Sequence, residues 1–374
     1  MNDLLPADSD AAVLIGRMMT PAGPTPVLVR GGRLFDLSAS APTISDLLEG
    51  HEPGAALSPG DDLGAIGDAV LLAPIDLQCI KASGVTFAAS ALERVIEERA
   101  RGDAAHAIRI RDQIQDRIGS DLRSVRPGSE EAARLKQVLI ADGLWSQYLE
   151  VAIGPDAEIF TKSAVLSAVG TGAQVGVRSD SEWNNPEPEI VLIVDSHGRA
   201  RGATLGNDVN LRDVEGRSAL LLGKAKDNNA SCAIGPFIRL FDAEFTIDDI
   251  RSAEVSLTIE GGEDGYALSG SSNMGLISRH PLDLIGQTIG KHHQFPDGFA
   301  LFLGTMFAPT EDRDVTGLGF THKRGDVVRI STPRLGTLTN VVVPCEEAPP
   351  WTFGIRALIA NLAARGLLAK KVTA

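Results

Sequence analysis

Two glutamates and one aspartate have the spacing that is most typical of a metal site in this chain. Glu187 and Glu189 stand two residues apart beside the apolar run 190–194. On a strand, both carboxylates therefore point to the same face. The turn-forming residues 195–198 and a second strand-like run lead on to Asp208. A hairpin centred between positions 197 and 198 places Asp208 opposite Glu187, so the pattern predicts three acidic groups that converge.

Converging carboxylates repel one another, and a bound cation relieves that repulsion. Oxygen ligands without Cys or His select a hard ion, so we expect Mg²⁺ first and then Mn²⁺ or Ca²⁺, with zinc disfavoured. The spacing alone also fits a solvated acidic strand end beside an ordinary turn, and this alternative stays open at the level of the three residues.

The polar, glycine-punctuated segment 206–236 extends this pattern. Together with E-x-E, its N-D-V-x-x-R-D, G-K and G-P pieces resemble the fumarylacetoacetate hydrolase family. Further matching pieces lie at residues 84–87, 160–162, 302–305 and 323–328, so the resemblance extends over about residues 84–344. It implies divalent-metal chemistry on 2-oxo acids.

The resemblance also implies roles for single residues. The metal ligands that it implies are Glu187, Glu189 and Asp208. Lys224, in the G-K step, matches the active-site lysine of the family. Lys162 matches a lysine near the substrate, and Thr305 matches a G-T step that contacts substrate oxygens. Arg217 or Lys162 is a candidate to hold the substrate's carboxylate or its distal hydroxyls.

One departure from the family pattern bears on the chemistry. Hydrolases and decarboxylases of the family carry G-x-N-Y-x-x-H-x-x-E, in which a His and a Glu activate water. This chain has G-V-T-F-A-A-S-A-L-E, with Ser90 at the histidine position and Glu93 at the glutamate position. A serine hydroxyl does not titrate near neutral pH and cannot take a proton from water. We therefore expect Glu93 to be the base and Ser90 to contact substrate, which favours enolisation and elimination over C–C hydrolysis.

The runs at residues 182–189 and 216–236 resemble a branch of the family that dehydrates 2-keto-3-deoxy sugar acids. The branch implies a hydro-lyase that converts 2-keto-3-deoxy-D-pentonate (xylonate or arabinonate) to 2,5-dioxopentanoate in non-phosphorylative pentose catabolism. Two alternatives stay open. One is a 2,4-diketo acid hydrolase or 2-oxo acid decarboxylase of the same family, and the other is a non-catalytic, metal-stabilised binding protein.

Composition narrows the class of protein. The chain has 374 residues, 43% of them hydrophobic, and a net charge of −14, which disfavours binding to nucleic acid or to an anionic membrane. Three widely spaced cysteines without a C-x-x-C pair are typical of reduced thiols, and we expect a cytoplasmic protein without a signal peptide or membrane span. The expected partners are a small-molecule 2-oxo sugar acid and, from the resemblance, further copies of the chain in a homodimer or higher homo-oligomer.

The expected fold class is α+β and rich in strands. Short strand patterns predict a small β-rich N-terminal domain in residues 1–75, and the resemblance implies a mixed β-roll catalytic domain of the fumarylacetoacetate hydrolase type in residues 76–374. The charged helical pattern at about residues 92–142 is interpreted as an insertion that acts as a lid or dimer contact. An amphipathic pattern predicts a C-terminal helix at 352–368, with its apolar stripe in the core.

Overall fold

The computed structural model describes residues 4–101, 103, 106–107, 125–315 and 318–368, without the side chains of residues 88 and 89. Its strands are β1 (Leu14–Thr20), β2 (Gly23–Arg30), β3 (Arg33–Asp36), β4 (Asp62–Ala65), β5 (Val70–Leu72), β6 (Cys79–Gly84), β7 (Glu158–Ser163), β8 (Gln174–Val177), β9 (Asn184–Asn185), β10 (Pro188–Val194), β11 (Ala200–Asp208), β12 (Asn210–Leu211), β13 (Cys232–Leu240), β14 (Glu254–Glu260), β15 (Ala267–Asn273), β16 (Phe299–Phe302), β17 (Val327–Thr332) and β18 (Gly336–Pro344). Its α-helices are α1 (Ile44–Gly50), α2 (Ala88–Ala100), α3 (Glu130–Ala141), α4 (Gln147–Ile153), α5 (Arg212–Glu215), α6 (Leu222–Lys226), α7 (Ile247–Arg251), α8 (Pro281–Thr288) and α9 (Ile355–Ala364).

A large mixed sheet forms the centre of the molecule. Its strand order is β4-β3-β2-β1-β13-β11-β10-β16-β6-β7, and β5 pairs with β1. Strand β10 lies in the middle and all of its residues are buried. Ile190, Leu192 and Val194 pack on one face of the sheet, whereas Val191 and Ile193 pack on the other. The continuous apolar run is therefore explained by burial on both faces of the sheet.

A second sheet, in the order β15-β14-β17-β18-β8, covers one face of the large sheet. The short strands β9 and β12 pair with each other close to the ends of β10 and β11. The expectation of a strand-rich α+β fold is confirmed. Within the described residues, no helix has the length and apolar composition needed to cross a membrane.

Residues of the N-terminal segment explain its local structure. Gly31 and Gly32 both have positive φ and close the β2–β3 hairpin, and the Thr43 side chain accepts from the Asp46 amide at the start of α1. Strand β1 also pairs antiparallel with β13, so the large sheet runs across the domain boundary predicted at residue 75. The division into residues 1–75 and 76–374 stays a prediction.

Helices α2, α3 and α4 form a unit with its own hydrophobic cluster, hereafter the helical unit. Leu92, Ile96, Leu149 and Trp183 are among its buried side chains, and this cluster is distinct from the core between the sheets. Part of the insertion predicted at 92–142 lies outside the described residues. At the C-terminus, α9 is shorter than predicted. It buries Leu358 but leaves Ile359 51% exposed, so the prediction that the whole apolar stripe is core was wrong.

Candidate active site

Three buried carboxylates meet at the ends of two neighbouring strands. Glu187 precedes β10, Glu189 lies within it, and Asp208 ends the antiparallel strand β11. Glu189 pairs with Gly206, and the Asp208 amide donates to the Glu187 carbonyl at 3.0 Å, which is the register expected for a hairpin centred at 197–198. One carboxylate oxygen from each of the three acids lies within 4.8 Å of the others. The structure therefore brings the three predicted ligands together.

Two buried ammonium groups lie against these carboxylates. Lys226 Nζ donates to Glu187 Oε2, and it also donates to Asp208 Oδ2 at 3.2 Å. Lys162 Nζ lies 2.8 Å from Asp208 Oδ1. Burial disfavours the charged form of Lys226, but the charges of Asp208 and Glu187 outweigh this effect and raise its pKa, so the amine stays protonated.

Lys224, the lysine assigned to the active site from the sequence, lies away from the carboxylates. Its side chain is 43% exposed and its ammonium is 3.8 Å from Asp180, whereas the Lys226 side chain is 3% exposed. Both lysines belong to the short helix α6, in which residues two positions apart are separated by about 200° around the axis. Lys226 is therefore the lysine of this site, and within G-K-A-K no spacing in the sequence distinguishes the two.

The neighbouring charges set the protonation of the acids. Burial, followed by the charges of Asp208 and Glu187, raises the pKa of Glu189 well above its usual value. Burial acts in the same direction on Glu187, but the positive charges of Lys226 and Arg94 outweigh it and hold the pKa of Glu187 at about 2. Positive charges thus offset the burial of the Glu187 carboxylate, but they do not offset that of Glu189.

Glu189 is held by the segment that follows β16. The Gly304 amide donates to Glu189 Oε2 at 2.7 Å, and the Thr305 hydroxyl donates to Oε1 at 3.2 Å. Gly304 has a φ of +101°, and a Cβ there would meet Thr86 Oγ1 at 2.0 Å, so glycine is required at this position. Thr305, a predicted substrate contact, therefore also orients a candidate metal ligand.

A buried ionic network connects the carboxylates to the helical unit. The Arg94 guanidinium lies 2.5 Å from Glu187 Oε1, 2.6 Å from Glu97 Oε2 and 2.8 Å from Glu215 Oε2. Glu97 also pairs with Arg212 Nε at 3.2 Å, and Arg212 donates to the Pro309 carbonyl. One arginine of α2 thus bridges the helical unit and the large sheet.

Two adjoining cavities open at the carboxylates. The inner cavity, of about 20 Å³, holds little more than one water-sized group. Its wall includes Glu158, Glu187, Glu189, Asp208 and Lys226. The outer cavity, of about 170 Å³, is large enough for a small organic molecule. The cavities share Ser90, Arg94, Glu187 and Thr305.

Helix α2 presents one face to the outer cavity. Ser90, Glu93, Arg94 and Glu97 follow the spacing i, i+3, i+4 and i+7, which places them on the same side of a helix. The Ser90 hydroxyl donates to the Phe87 carbonyl at 3.0 Å. Ser90 and Glu93 therefore both reach the cavities as predicted, Ser90 in both and Glu93 in the outer one.

Glu158 is a site residue that the sequence prediction missed. Strand pairing places it opposite Gly84, and it lines the inner cavity but not the outer one. Burial, and then the charge of Glu215, raise the pKa of Glu158 to about 7. The sequence carried no direct signal for Glu158, because its place in the cavity depends on the pairing of β6 with β7.

Two predicted substrate contacts lie outside the cavities. Lys162 is fully buried behind Asp208, so it holds that carboxylate and does not line either cavity. The side chain of Arg217 is exposed, and it is absent from the walls of both cavities. Arg94 and Arg212 are the arginines that line the outer cavity. Arg212 and Arg217 differ because Arg212 is the first residue of α5 and is buried, whereas Arg217 lies after the end of this helix.

The donor set fits a hard divalent cation. It consists of carboxylate oxygens alone, as Mg²⁺, Mn²⁺ and Ca²⁺ prefer. A cation would supply the compensating charge that buried Glu189 lacks. Among the described residues, a second group that includes Glu49, Asp195 and His197 also has its ligand atoms close together. Its His197 is exposed, whereas all three carboxylates of the first group are buried, so the first group is the better site.

Comparisons with known proteins agree with this arrangement. The model of the fumarylacetoacetate (FAA) hydrolase C-terminal domain matches residues 150–343, which is more than half of the chain. The chain therefore belongs to the fumarylacetoacetate hydrolase family. The matched range contains the three carboxylates, Lys226 and Glu158.

Two curated relatives are about one third identical to this chain over the aligned residues. A 2-dehydro-3-deoxy-D-arabinonate dehydratase of Saccharolobus solfataricus is 34% identical over 187 residues, which are 50% of this chain and 58% of the relative. A probable 2-keto-3-deoxyxylonate dehydratase of Haloferax volcanii is 32% identical over 196 residues, which are 52% of this chain and 63% of the relative. The match thus spans less than two thirds of either relative.

Solved structures share the fold over a longer range. A 2-keto-3-deoxy-D-arabinonate dehydratase complexed with magnesium and 2,5-dioxopentanoate has a TM-score of 0.62 and 23% identity, and the match covers 88% of this chain and 99% of that one. A fumarylacetoacetate hydrolase from psychrophilic Exiguobacterium antarcticum has a TM-score of 0.57 and 16% identity, with 89% and 100% covered. At these identities the comparison establishes the fold.

Proposed function

We propose that this chain is a metal-dependent dehydratase that converts a 2-keto-3-deoxypentonate to 2,5-dioxopentanoate in pentose catabolism. One observation carries the proposal: Glu158, Lys226 and the three carboxylates line a single small cavity that opens into a larger one. The names of the two curated relatives, and the magnesium and 2,5-dioxopentanoate in the structural relative, support the same reaction.

Glu187, Glu189 and Asp208 would hold the cation, with Mg²⁺ first and Mn²⁺ or Ca²⁺ as substitutes. The cation, when bound, supplies Lewis acidity toward the C1 carboxylate and the 2-oxo group of the acid. Lys226 keeps a positive charge beside the same cavity and holds two of the ligand carboxylates in place. That charge stabilises the negative charge that develops on the 2-oxo oxygen when a C3 proton leaves.

Glu158 is the base that we assign to C3. It lies in the inner cavity with the carboxylates, and its pKa of about 7 matches a base that works near neutral pH. The C3–H bond breaks first. The C4–O bond then breaks while the C3–C4 double bond forms, and the hydroxyl leaves as water with the proton that Glu158 carried. Ser90 and Thr305 line both cavities and would contact oxygens of the acid.

The rival chemistries fit the same residues less well. A 2,4-diketo acid hydrolase or a 2-oxo acid decarboxylase would need an activated water, but Ser90 donates its hydroxyl to a backbone carbonyl and no histidine of the described residues lines either cavity. A non-catalytic binding protein would need the three carboxylates for a structural ion. It would not need Glu158 in the same cavity with a raised pKa.

We also propose a cytoplasmic location and a homodimer or higher homo-oligomer. The free state of Cys79, Cys232 and Cys345 supports the first proposal. Cell fractionation tests it, and light scattering on the purified chain tests the second. A monomer at micromolar concentration would refute the oligomer.

The decisive experiment uses purified wild-type protein, Mg²⁺ and 2-keto-3-deoxypentonates of either C4 configuration, with and without EDTA. We expect 2,5-dioxopentanoate with Mg²⁺ and none with EDTA, and restored formation when excess Mg²⁺ is added. Formation of pyruvate, or no turnover of either epimer, would refute the dehydratase. A Glu189→Gln variant should lose Mg²⁺ binding in calorimetry, which checks the metal site without reference to turnover.

A further inference from the structure

The proposed reaction needs a second proton transfer that Glu158 is poorly placed to perform. Loss of the C3 proton and the C4 hydroxyl gives 5-hydroxy-2-oxopent-3-enoate, which is not yet the product. To reach 2,5-dioxopentanoate, C5 must lose a proton and C3 must regain one. This gives a C4–C5 enol, which becomes the aldehyde when its hydroxyl proton is lost and C4 is protonated. A base is therefore required at C5, at the far end of the acid from the 2-oxo group.

The sizes of the two cavities, together with the proposed position of C1 and C2 at the ligand carboxylates, indicate the direction of the substrate. The inner cavity, of about 20 Å³, takes a single small group beside the ligand carboxylates. The rest of a five-carbon acid must lie in the outer cavity, of about 170 Å³. With C1 and C2 at the ligand carboxylates, C5 lies in the outer cavity, against the face of α2.

The wall of the outer cavity offers three carboxylates and no histidine among the described residues. Glu187 is a candidate metal ligand. Glu97 is fully buried and paired through one oxygen with Arg94 at 2.6 Å and through the other with Arg212 at 3.2 Å. Glu187 would be occupied by the cation, and protonation of Glu97 would remove the negative charge that faces two guanidinium groups. Glu93 is the third carboxylate of this wall. The apolar side chains of Leu92, Ile96 and Phe307 line the same cavity.

We propose that Glu93 is a second catalytic base, which removes the C5 proton of the unsaturated intermediate, while Glu158 acts at C3. The two carboxylates divide the reaction by position, since Glu158 lines the inner cavity alone and Glu93 the outer cavity alone. The step is balanced: Glu93 takes the C5 proton, the C3–C4 double bond moves to C4–C5, and C3 accepts a proton from solvent, since Glu158 has already given its proton to the departing hydroxyl. This inference rests on the proposed dehydratase activity.

The test compares Glu93→Gln with Glu98→Gln, a matched variant on the same helix. Glu98 accepts from the side chains of Ser146 and Gln147, lines neither cavity and keeps its partners as an amide. Each variant receives Mg²⁺ and 2-keto-3-deoxypentonate in D₂O. Nuclear magnetic resonance follows deuterium at C3 and C5, and ultraviolet absorbance follows the conjugated 2-oxo-3-enoate. Melting temperatures check folding, and calorimetry checks Mg²⁺ binding.

We expect Glu93→Gln to keep C3 exchange and Mg²⁺ affinity within about threefold of Glu98→Gln. It should accumulate the unsaturated acid and form 2,5-dioxopentanoate at least about 100-fold more slowly, the usual loss for a missing general base. Equal product formation in both variants would overturn the inference. The inference would also be overturned if Glu93→Gln lost deuterium exchange at C3 while Glu158→Gln kept it, because Glu93 would then act at C3. If the wild-type protein releases no water from the acid, the dehydratase proposal itself fails, and this result is distinct from the other two.

Discussion

Gly84 gives a direct test of the position assigned to Glu158. A Cβ at residue 84 would lie 1.8 Å from Glu158 Oε2 and 2.6 Å from its Cδ, whereas ordinary contact begins near 3.4 Å. The Gly84→Ala substitution must therefore displace the carboxylate by about 1.6 Å, the difference between 3.4 and 1.8 Å. A misplacement of about 1 Å at a reacting group costs about 100-fold in rate, which is about 2.7 kcal/mol in activation free energy.

The fold should tolerate this change. The obstructing atoms are the end of a flexible side chain, so we expect the free energy of unfolding to fall by only about 1 kcal/mol. The assay is kcat for 2,5-dioxopentanoate formation at saturating Mg²⁺, with the melting temperature measured in parallel. The control is Gly286→Ala in α8, where a Cβ meets nothing within 4 Å. A kcat for Gly84→Ala within about threefold of this control, with both proteins folded, would show that Glu158 does not act from its observed position.

Three further predictions concern charge. Lys226→Met should reduce kcat by about 100-fold or more, because it removes the buried ammonium from two carboxylates. Lys224→Met should leave kcat within about twofold of the wild type. If steady-state kinetics rank the two variants the other way, Lys224 is the active-site lysine. If Glu158 must be deprotonated to act, kcat/KM should fall as the pH drops below about 7, or below a lower pH when Mg²⁺ is bound. The residual kcat/KM of the Glu158→Gln variant should not show this decrease at acidic pH. Burial opposes ionisation of Asp326, but hydrogen bonds from Arg313 and His322 hold its pKa at about 2 instead of 3.8. The ionised carboxylate therefore contributes about 2 kcal/mol of stability above pH 4, and this contribution is lost as the pH falls toward 2. Chemical denaturation of Asp326→Asn should show a smaller acid-induced loss of stability than that of the wild type.

The parts of the site that follow from local pattern were predictable. The β10–β11 hairpin brings Asp208 next to Glu187, as its pattern predicts, although a β-bulge between Ile193 and Val194 shifts the register by one residue between the turn and the ligands. Ser90 and Glu93 share a helical face through the i, i+3 spacing, which is also readable from the sequence.

The parts of the site that depend on tertiary structure were not predictable from the sequence. Glu158 reaches the inner cavity because β6 pairs with β7 in the large sheet, and no spacing connects residue 158 with residue 187. Lys224 and Lys226 differ only by their rotation about a helix of five residues, so the family pattern could not decide between them. The half-exposed Ile359 follows from how α9 packs, which hydrophobic periodicity does not report.

The separate hydrophobic cluster of the helical unit has a consequence for motion. Leu92 and Ile96 hold α2 to α4, whereas the ligand strands β10 and β11 are held by the core between the sheets, so the two walls of the outer cavity belong to different cooperative units. The buried contacts of Arg94 with Glu187 and Glu215 join these units. We therefore expect α2 and α4 to exchange their amide hydrogens together and at a lower opening free energy than β10.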